Sequence, residues 1–263
     1  MLIDSHCHLD CFCGPGELDA MLERAKAAGV DAMITVGTSI SDWAVYAKMA
    51  AAHPGIIHWT AGLHPTEIDE DWKDQLASLA SWFATAPCPI GIGEVGLDYY
   101  HLPKDKAKAA PIIERQKAAF TAQLEIALQL DCPLVVHSRN AFADTLAMIG
   151  KSGIDWRKVV YHCFSEGPAE IRALNERGGR GSFTGVVTYK NAGRTLEAAI
   201  AQGPELLMLE TDCPWLTPEP LRGRRNEPAL LPLTLQCLAS AMNLPVKELE
   251  MRAEHATRSF FGI

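Results

Sequence analysis

Eight apolar, β-branched runs recur along the chain, each separated from the next by a stretch with helical periodicity. This alternation constrains the fold more than any single residue does. The runs are residues 2–6, VDAMITVG (30–37), IIHWTAGLH (56–64), PIGIGEVG (89–96), PLVVHS (133–138), VVYHCF (159–164), GSFTGVV (181–187) and ELLMLETD (205–212). Helical stretches lie between them, among them 16–28, 111–131 and 192–202, and two more follow the last run at 228–242 and 246–260. Strands that alternate with helices pair in parallel, and eight such units in about 250 residues make a (β/α)8 TIM barrel. No low-complexity linker or composition break interrupts residues 1–263, so one domain is expected.

A barrel of this kind carries its chemistry at the C-terminal ends of its strands. The first run ends in DSHCHLD, where His6 and His8 stand one residue apart. In an extended segment side chains alternate, so the two imidazoles share a face and Cys7 takes the other. The third run ends in His64 (GLHP), and the fourth leads to Glu94 (GEVGLDYY). The fifth ends in His137 (VVHSR), the sixth in His162 (YHCF) and the eighth in Asp212 (LETDCPWL). Five of the nine histidines thus fall at strand ends on one rim. His53, His58, His101 and His255 lie elsewhere and read as structural.

Four imidazoles and two carboxylates exceed one tetrahedral ion but suit two cations sharing a bridging carboxylate. The simplest assignment gives one ion His6, His8 and Asp212, the other His137 and His162, and places Glu94 between them. Two such cations lower the pKa of a shared water from 15.7 towards about 7 and generate a nucleophile for phosphorus or carbonyl carbon. Asp212 is the natural group to take the water's proton and return it to the leaving oxygen. His64 reads as a donor to a substrate oxygen. Imidazole-rich ligation favours zinc, manganese or iron over magnesium without choosing among them, and zinc, manganese and magnesium stand as candidate ions.

The net charge of −8 disfavours broad, salt-driven binding to duplex nucleic acid but leaves room for a local basic groove. The eight cysteines are scattered, with no recognisable signal peptide before DSHCHLD, so reduced thiols and a cytoplasmic location are expected. No apolar run approaches the roughly 20 residues that span a bilayer. No membrane association and no obligate protein partner are indicated, and a monomer is expected.

The motifs DSHCHLD, GLHP, GEVGLDYY, PLVVHSR, YHCFSEG, TGVVTYKNA, LLMLETDCPWLTP and GRRNEP, in that order from residue 4 to residue 228, resemble the TatD family of metal-dependent deoxyribonucleases among the amidohydrolase-like barrels. The resemblance implies a two-metal site and phosphodiester hydrolysis, often as a 3′-to-5′ exonuclease on single strands of DNA or RNA. By matching position it places the metal ligands on His6, His8, Glu94, His137, His162 and Asp212. Glu94 stands where typical amidohydrolases carry a carboxylated lysine. Three departures concern the surroundings: Glu166 after HCFS where the family usually has glycine, Arg180 and extra glycine in GGRGSFTG at the seventh run, and the ending HATRSFFGI.

Several residues are candidates for holding a strand. Tyr99 and Tyr100 could stack on bases, a contact worth about 1–3 kcal/mol per base. Arg139, two residues past His137, and Arg222, Arg224 and Arg225 after the eighth run offer guanidinium groups to phosphate oxygens. The rival reading is a barrel hydrolase of a small ester, amide or lactone, because a fold does not choose its substrate. A non-catalytic binding platform is a third, disfavoured by the presence of all six candidate ligands.

Overall fold

In the computed structural model, which describes residues 1–263, eight parallel strands alternate with helices around one barrel. The strands are β1 (Leu2–Cys7), β2 (Val30–Val36), β3 (Ile57–Thr60), β4 (Ile92–Asp98), β5 (Leu134–Arg139), β6 (Val159–Tyr161), β7 (Arg180–Phe183) and β8 (Met208–Leu209). The helices are α1 (Glu17–Ala27), α2 (Ile40–Ala52), α3 (Trp72–Ala77), α4 (Leu79–Trp82), α5 (Lys106–Leu130), α6 (Phe142–Ser152), α7 (Pro168–Asn175), α8 (Gly193–Gln202), α9 (Leu231–Ala241) and α10 (Val246–Phe261). No single helix is long and apolar enough to cross a membrane. All eight cysteines are free thiols.

The ladders run β1-β2-β3 and β4-β5-β6-β7-β8, all parallel. Two seams join them. Between β3 and β4, Ala61 pairs with Ile92, and the Gly93 N–H donates to the Ala61 carbonyl at 3.1 Å. Between β8 and β1, the Asp212 N–H donates to the His6 carbonyl at 2.9 Å and the His8 N–H to the Cys213 carbonyl at 3.0 Å. Buried Asp4 reinforces this second seam by accepting from the Thr211 N–H at 2.9 Å and its hydroxyl at 2.5 Å. The two segments that meet there carry His6, His8 and Asp212.

Strand alternation sorts the core into two parts. Ile3, Ile34, Val135, Val160 and Met208 pack with Phe260 and Phe261 of α10, while Leu2, Met33, Leu134, Val136, Val159 and Leu209 join the larger cluster shared with the helices. On β5 and β6 this parity continues to His137 and His162, while Asp212 stands three residues past β8 with a left-handed φ of 54°. On β1 and β4 it does not: the register on the partner strand shifts between Asp4 and Cys7 and between Ile92 and Val95. A local irregularity of this kind re-aims side chains. It leaves Cys7 and Val95 in the outer core and frees His6 and Glu94 to face the barrel axis.

Several expected boundaries differ. The third, seventh and eighth strands are shorter than their apolar runs, because the chain leaves the ladder as turns that build the rim; Gly185–Thr188, for example, is a 3-10 turn capped by Thr184. The helix expected at 111–131 starts at Lys106, since the Asp105 side chain accepts from the Ala107 N–H and caps it upstream of Pro111. Its buried positions 116, 119, 120, 123, 124 and 127 follow the helical repeat and face the barrel.

Gly96 lies opposite His137 in the β4–β5 ladder, with φ of 144°, and a Cβ there would run into the His137 carbonyl. A left-handed φ with no room for a side chain admits only glycine. Gly96→Ala should therefore cost at least about 2–3 kcal/mol of stability, visible as a lowered denaturation midpoint. A midpoint equal to the parent's would contradict the close packing of these strands.

Candidate metal centre and substrate cavity

Glu94 is the hub of the rim. It is 3% exposed, and its two oxygens face two different groups of nitrogens. Oε2 lies 3.4 Å from His6 Nε2 and 3.7 Å from His8 Nε2. Oε1 lies 2.6 Å from His162 Nε2, 2.8 Å from His137 Nδ1 and 3.4 Å from His64 Nε2. Asp212 Oδ1 completes the first group, 3.7 Å from His6 Nε2 and 3.5 Å from His8 Nε2. His6 Nε2 and His8 Nε2 are 3.3 Å apart, and the His6 and His162 rings stack with centroids at 3.9 Å.

Three sets of donor atoms lie close enough together to hold a cation: His6, His8 and Asp212; His6, Glu94 and His162; and His64, Glu94 and His137, with the atoms in each set within 4.8 Å of one another. Imidazole nitrogens and carboxylate oxygens crowded without intervening donors suit divalent cations well. The first set is the grouping expected from the sequence. The others differ from it, because His6 also reaches Glu94 and His162, and His64 stands beside Glu94 and His137.

Partners behind the cluster fix what each ring presents to it. Asp98 Oδ2 accepts from His137 Nε2 at 3.1 Å, which fixes the ring with Nδ1 turned to Glu94. His64 is arranged the opposite way. Its Nδ1 accepts from the Thr66 N–H at 3.2 Å, so Nε2 carries the ring proton and faces inward as a donor. Glu210 stands 3.7 Å from His162 Nδ1 while accepting from the Cys163 N–H at 2.6 Å and from the Ser182 hydroxyl. Asp98 and Glu210 bear on the site without appearing among the candidates read from the sequence. Their signal was faint: each lies in a quoted motif, GLDYY or LETD, one or two positions from its neighbour's obvious role.

The charges in the cluster support one another. Burial pushes the Glu94 carboxyl up, but the His162 and His64 rings and donation from His137 and His162 outweigh it and hold it well below the usual carboxylate range. His162 is the counterpart: burial lowers it, while Glu94 and Glu210 raise it well above the ordinary histidine value. His6 is depressed by burial and by the charge on His162. Burial also opposes ionisation of Asp98, yet donation from His137 and His101 leaves it below its ordinary value.

Above the cluster opens a cavity of about 870 Å³. His8, His64, Glu94, His137, His162 and Asp212 line it; so do Arg139 and His101 on one side and Trp215 with Leu216 on another. Trp215, 58% exposed, sets its ring edge-to-face against His8 at 5.2 Å. It was not singled out from the sequence, where it is one apolar residue of DCPWL.

Three expected substrate contacts stand differently from the simple expectation. Tyr99 does not line the cavity, because its ring packs on the core and its hydroxyl donates to Asp144 at 2.7 Å. Tyr100 is 58% exposed, but the Arg139 guanidinium already covers its face at 4.0 Å. Arg225 is also outside the cavity lining, since it pairs with Glu17 at 2.5 Å, donates to the Cys11 carbonyl and lies over Phe12. The departures noted in the sequence are accommodated away from the cluster. Glu166 pairs with Arg194 at 3.5 Å, and Arg180 lies over Phe260.

Known proteins are similar to this chain over its whole length. The family model described as TatD related DNase matches residues 3–262. A Mycobacterium tuberculosis protein named as an uncharacterized metal-dependent hydrolase, TatD, is 33% identical over 100% of this chain and 98% of its own length. An Erwinia amylovora protein named 3′-5′ ssDNA/RNA exonuclease TatD is 31% identical, covering 93% of each chain. The crystal structure of the TatD homologue YjjV from Escherichia coli superposes with a TM-score of 0.90 at 25% identity, covering 100% of this chain and 98% of that one. The chain therefore belongs to the TatD-related DNase family and is a hydrolase of that metal-dependent group.

Proposed function

We propose that this hydrolase cleaves phosphodiester bonds of single-stranded nucleic acid from a 3′ end, using two divalent cations held by His6, His8, Glu94, His137, His162 and Asp212. The observation that carries the reading is the hub itself: a buried carboxylate with each oxygen turned to a different group of imidazoles, at the floor of an open cavity. The exonuclease name of the Erwinia relative supports the choice of substrate. When bound, such cations supply Lewis acidity and bring the pKa of a water towards about 7.

The chain's own groups do the rest. Glu94 holds the two halves of the cluster together through its two oxygens. Asp212, beside His8 and open to the cavity, accepts the proton of the attacking water and returns it to the leaving oxygen. His64 donates its Nε2 proton to a substrate oxygen, since its Nδ1 is already committed to Thr66. Arg139, kept flat by Tyr100, binds phosphate oxygens. Trp215 offers an exposed ring at the mouth for an unpaired base, the role first assigned to the tyrosines.

The decisive assay is digestion of end-labelled single-stranded DNA and RNA with zinc, manganese or magnesium, against a chelated control. Stepwise shortening from the 3′ end is expected. Activity on small esters that greatly exceeds activity on every oligonucleotide would overturn the reading. Protein purified without chelator should contain metal by elemental analysis, and Glu94→Ala should remove most of it; full metal content in that variant would remove Glu94 from the ligand set. Asp212→Asn keeps the shape and an oxygen ligand but loses the charge and most of the basicity. Its turnover should fall about 10²–10⁴-fold with metal content and melting temperature retained. Turnover within a few-fold of the parent would send the proton elsewhere.

A further inference from the structure

His101 reads from the sequence as an ordinary loop histidine, and the structure gives it a more specific setting. It follows β4, and its side chain is 53% exposed on the cavity wall. Its Nδ1 donates to Asp98 Oδ2 at 2.8 Å, the same carboxylate oxygen that receives His137 Nε2 at 3.1 Å. Asp98 Oδ1 accepts from the backbone N–H groups of Tyr100 and His101 at 2.9 and 3.0 Å, which ties the loop to the carboxylate. The His101 ring meets the Tyr100 ring edge-on at 5.1 Å, and the Arg139 guanidinium lies over the same Tyr100 ring at 4.0 Å. His101 and Arg139 thus share Tyr100 as a neighbour, and both line the cavity.

We propose that His101 and Arg139 form a second phosphate subsite, which grips the phosphate next to the scissile one and so sets the strand's register over the metal centre. This rests on the nucleic-acid reading above and deepens it. The chemistry matches the ligand class. With Nδ1–H held by Asp98, His101 donates from Nε2 as the imidazolium, the form that a bound phosphate and Asp98 both favour, and on a cavity wall that Arg139 also lines the two cations offer hydrogen bonds to the oxygens of one anion. Of the cavity's carboxylates, Glu94 and Asp212 lie in the ligand cluster and Glu67 stands in the turn after His64, while Asp98, which His101 contacts, is saturated by four donors and orients the ring instead of competing for the anion. A substrate with a single phosphate, such as a small phosphomonoester, would occupy the metal centre and leave this subsite unused. The pair therefore favours chains of nucleotides over small esters.

The test uses oligodeoxynucleotides in which one phosphate at a time, next to the scissile bond, is replaced by an uncharged methylphosphonate. On the natural strand, His101→Ala should lower kcat/KM about ten- to hundred-fold, the factor expected for a hydrogen bond to a charged group. His101→Gln, which keeps a donor, should recover part of the loss. The methylphosphonate at one position should cost the parent protein a similar factor and cost His101→Ala almost nothing, while metal content stays at the parent level in both variants. Equal losses on charged and uncharged strands, activity within two-fold of the parent, or loss of metal from His101→Ala would each overturn the subsite. A parent protein that cleaves no oligonucleotide would overturn the nuclease reading itself, a result distinguishable from those three.

Discussion

The site depends on one electrostatic constraint: a nearly fully buried carboxylate has to be kept charged. Burying an isolated carboxylate costs many kcal/mol, and the usual escape is protonation. Glu94 avoids this by facing His6, His8, His64, His137 and His162 at once. The enclosing rings in turn need it, since the other carboxylates that face them, Asp212, Asp98 and Glu210, each stand at the edge of the cluster. A buried ionic cluster of this kind adds little net stability compared with apolar packing of the same volume. Its presence in an otherwise well-packed barrel is the signature of a site retained for chemistry.

Holding such a cluster requires rigid support, and the barrel supplies it with paired amide contacts. Gln123 of α5 accepts from the Leu63 N–H at 2.7 Å and donates to the Leu63 carbonyl at 3.1 Å, bracing the backbone just before His64. Gln116, two helical turns earlier on the same face, does the same for Asp98 at 3.0 and 3.1 Å. Gln202 of α8 brackets Gly181 in β7 at 2.7 and 2.8 Å. Each glutamine satisfies both polar groups of one residue that the strand ladder leaves open, so buried backbone and buried side chain solve each other's problem. α5 thereby ties two successive rim segments to one rigid element. The positions of His64 and, through Asp98, of His137 follow from that helix.

The barrel architecture was legible because parallel strands leave long apolar runs, and the rim residues were legible because barrels place chemistry at strand ends. His137 and His162 follow strand parity, so their inward direction could be read directly. His6 and Glu94 face inward only because the ladder slips beside them, which no period-two pattern reveals. What stayed hidden depends on contacts between distant segments. That Tyr99 would bond Asp144, that Arg139 would cover Tyr100, and that Arg225 would fold back on Glu17 are tertiary facts with no local signal. His101 escaped for the same reason: its role comes from sharing a carboxylate with a residue more than thirty positions away.

On the nuclease proposal, an acidic chain has to arrange its few useful cations with care. With a net charge of −8, long-range attraction to phosphates is absent, and recognition falls to short-range contacts inside the cavity. The walls divide that task. His101 and Arg139 stand on the β4–β5 side, where Tyr100 keeps both in place, while Trp215 and Leu216 make the other side apolar. A single-stranded substrate can satisfy both walls because its bases are unpaired and its backbone is free to turn. A duplex keeps its bases stacked inside and offers the apolar wall no partner. On the same proposal, a preference for single strands follows from the shape and chemistry of the cavity, with little help from bulk charge. Such selectivity should depend less on salt than that of a protein that binds nucleic acid through a broad basic face.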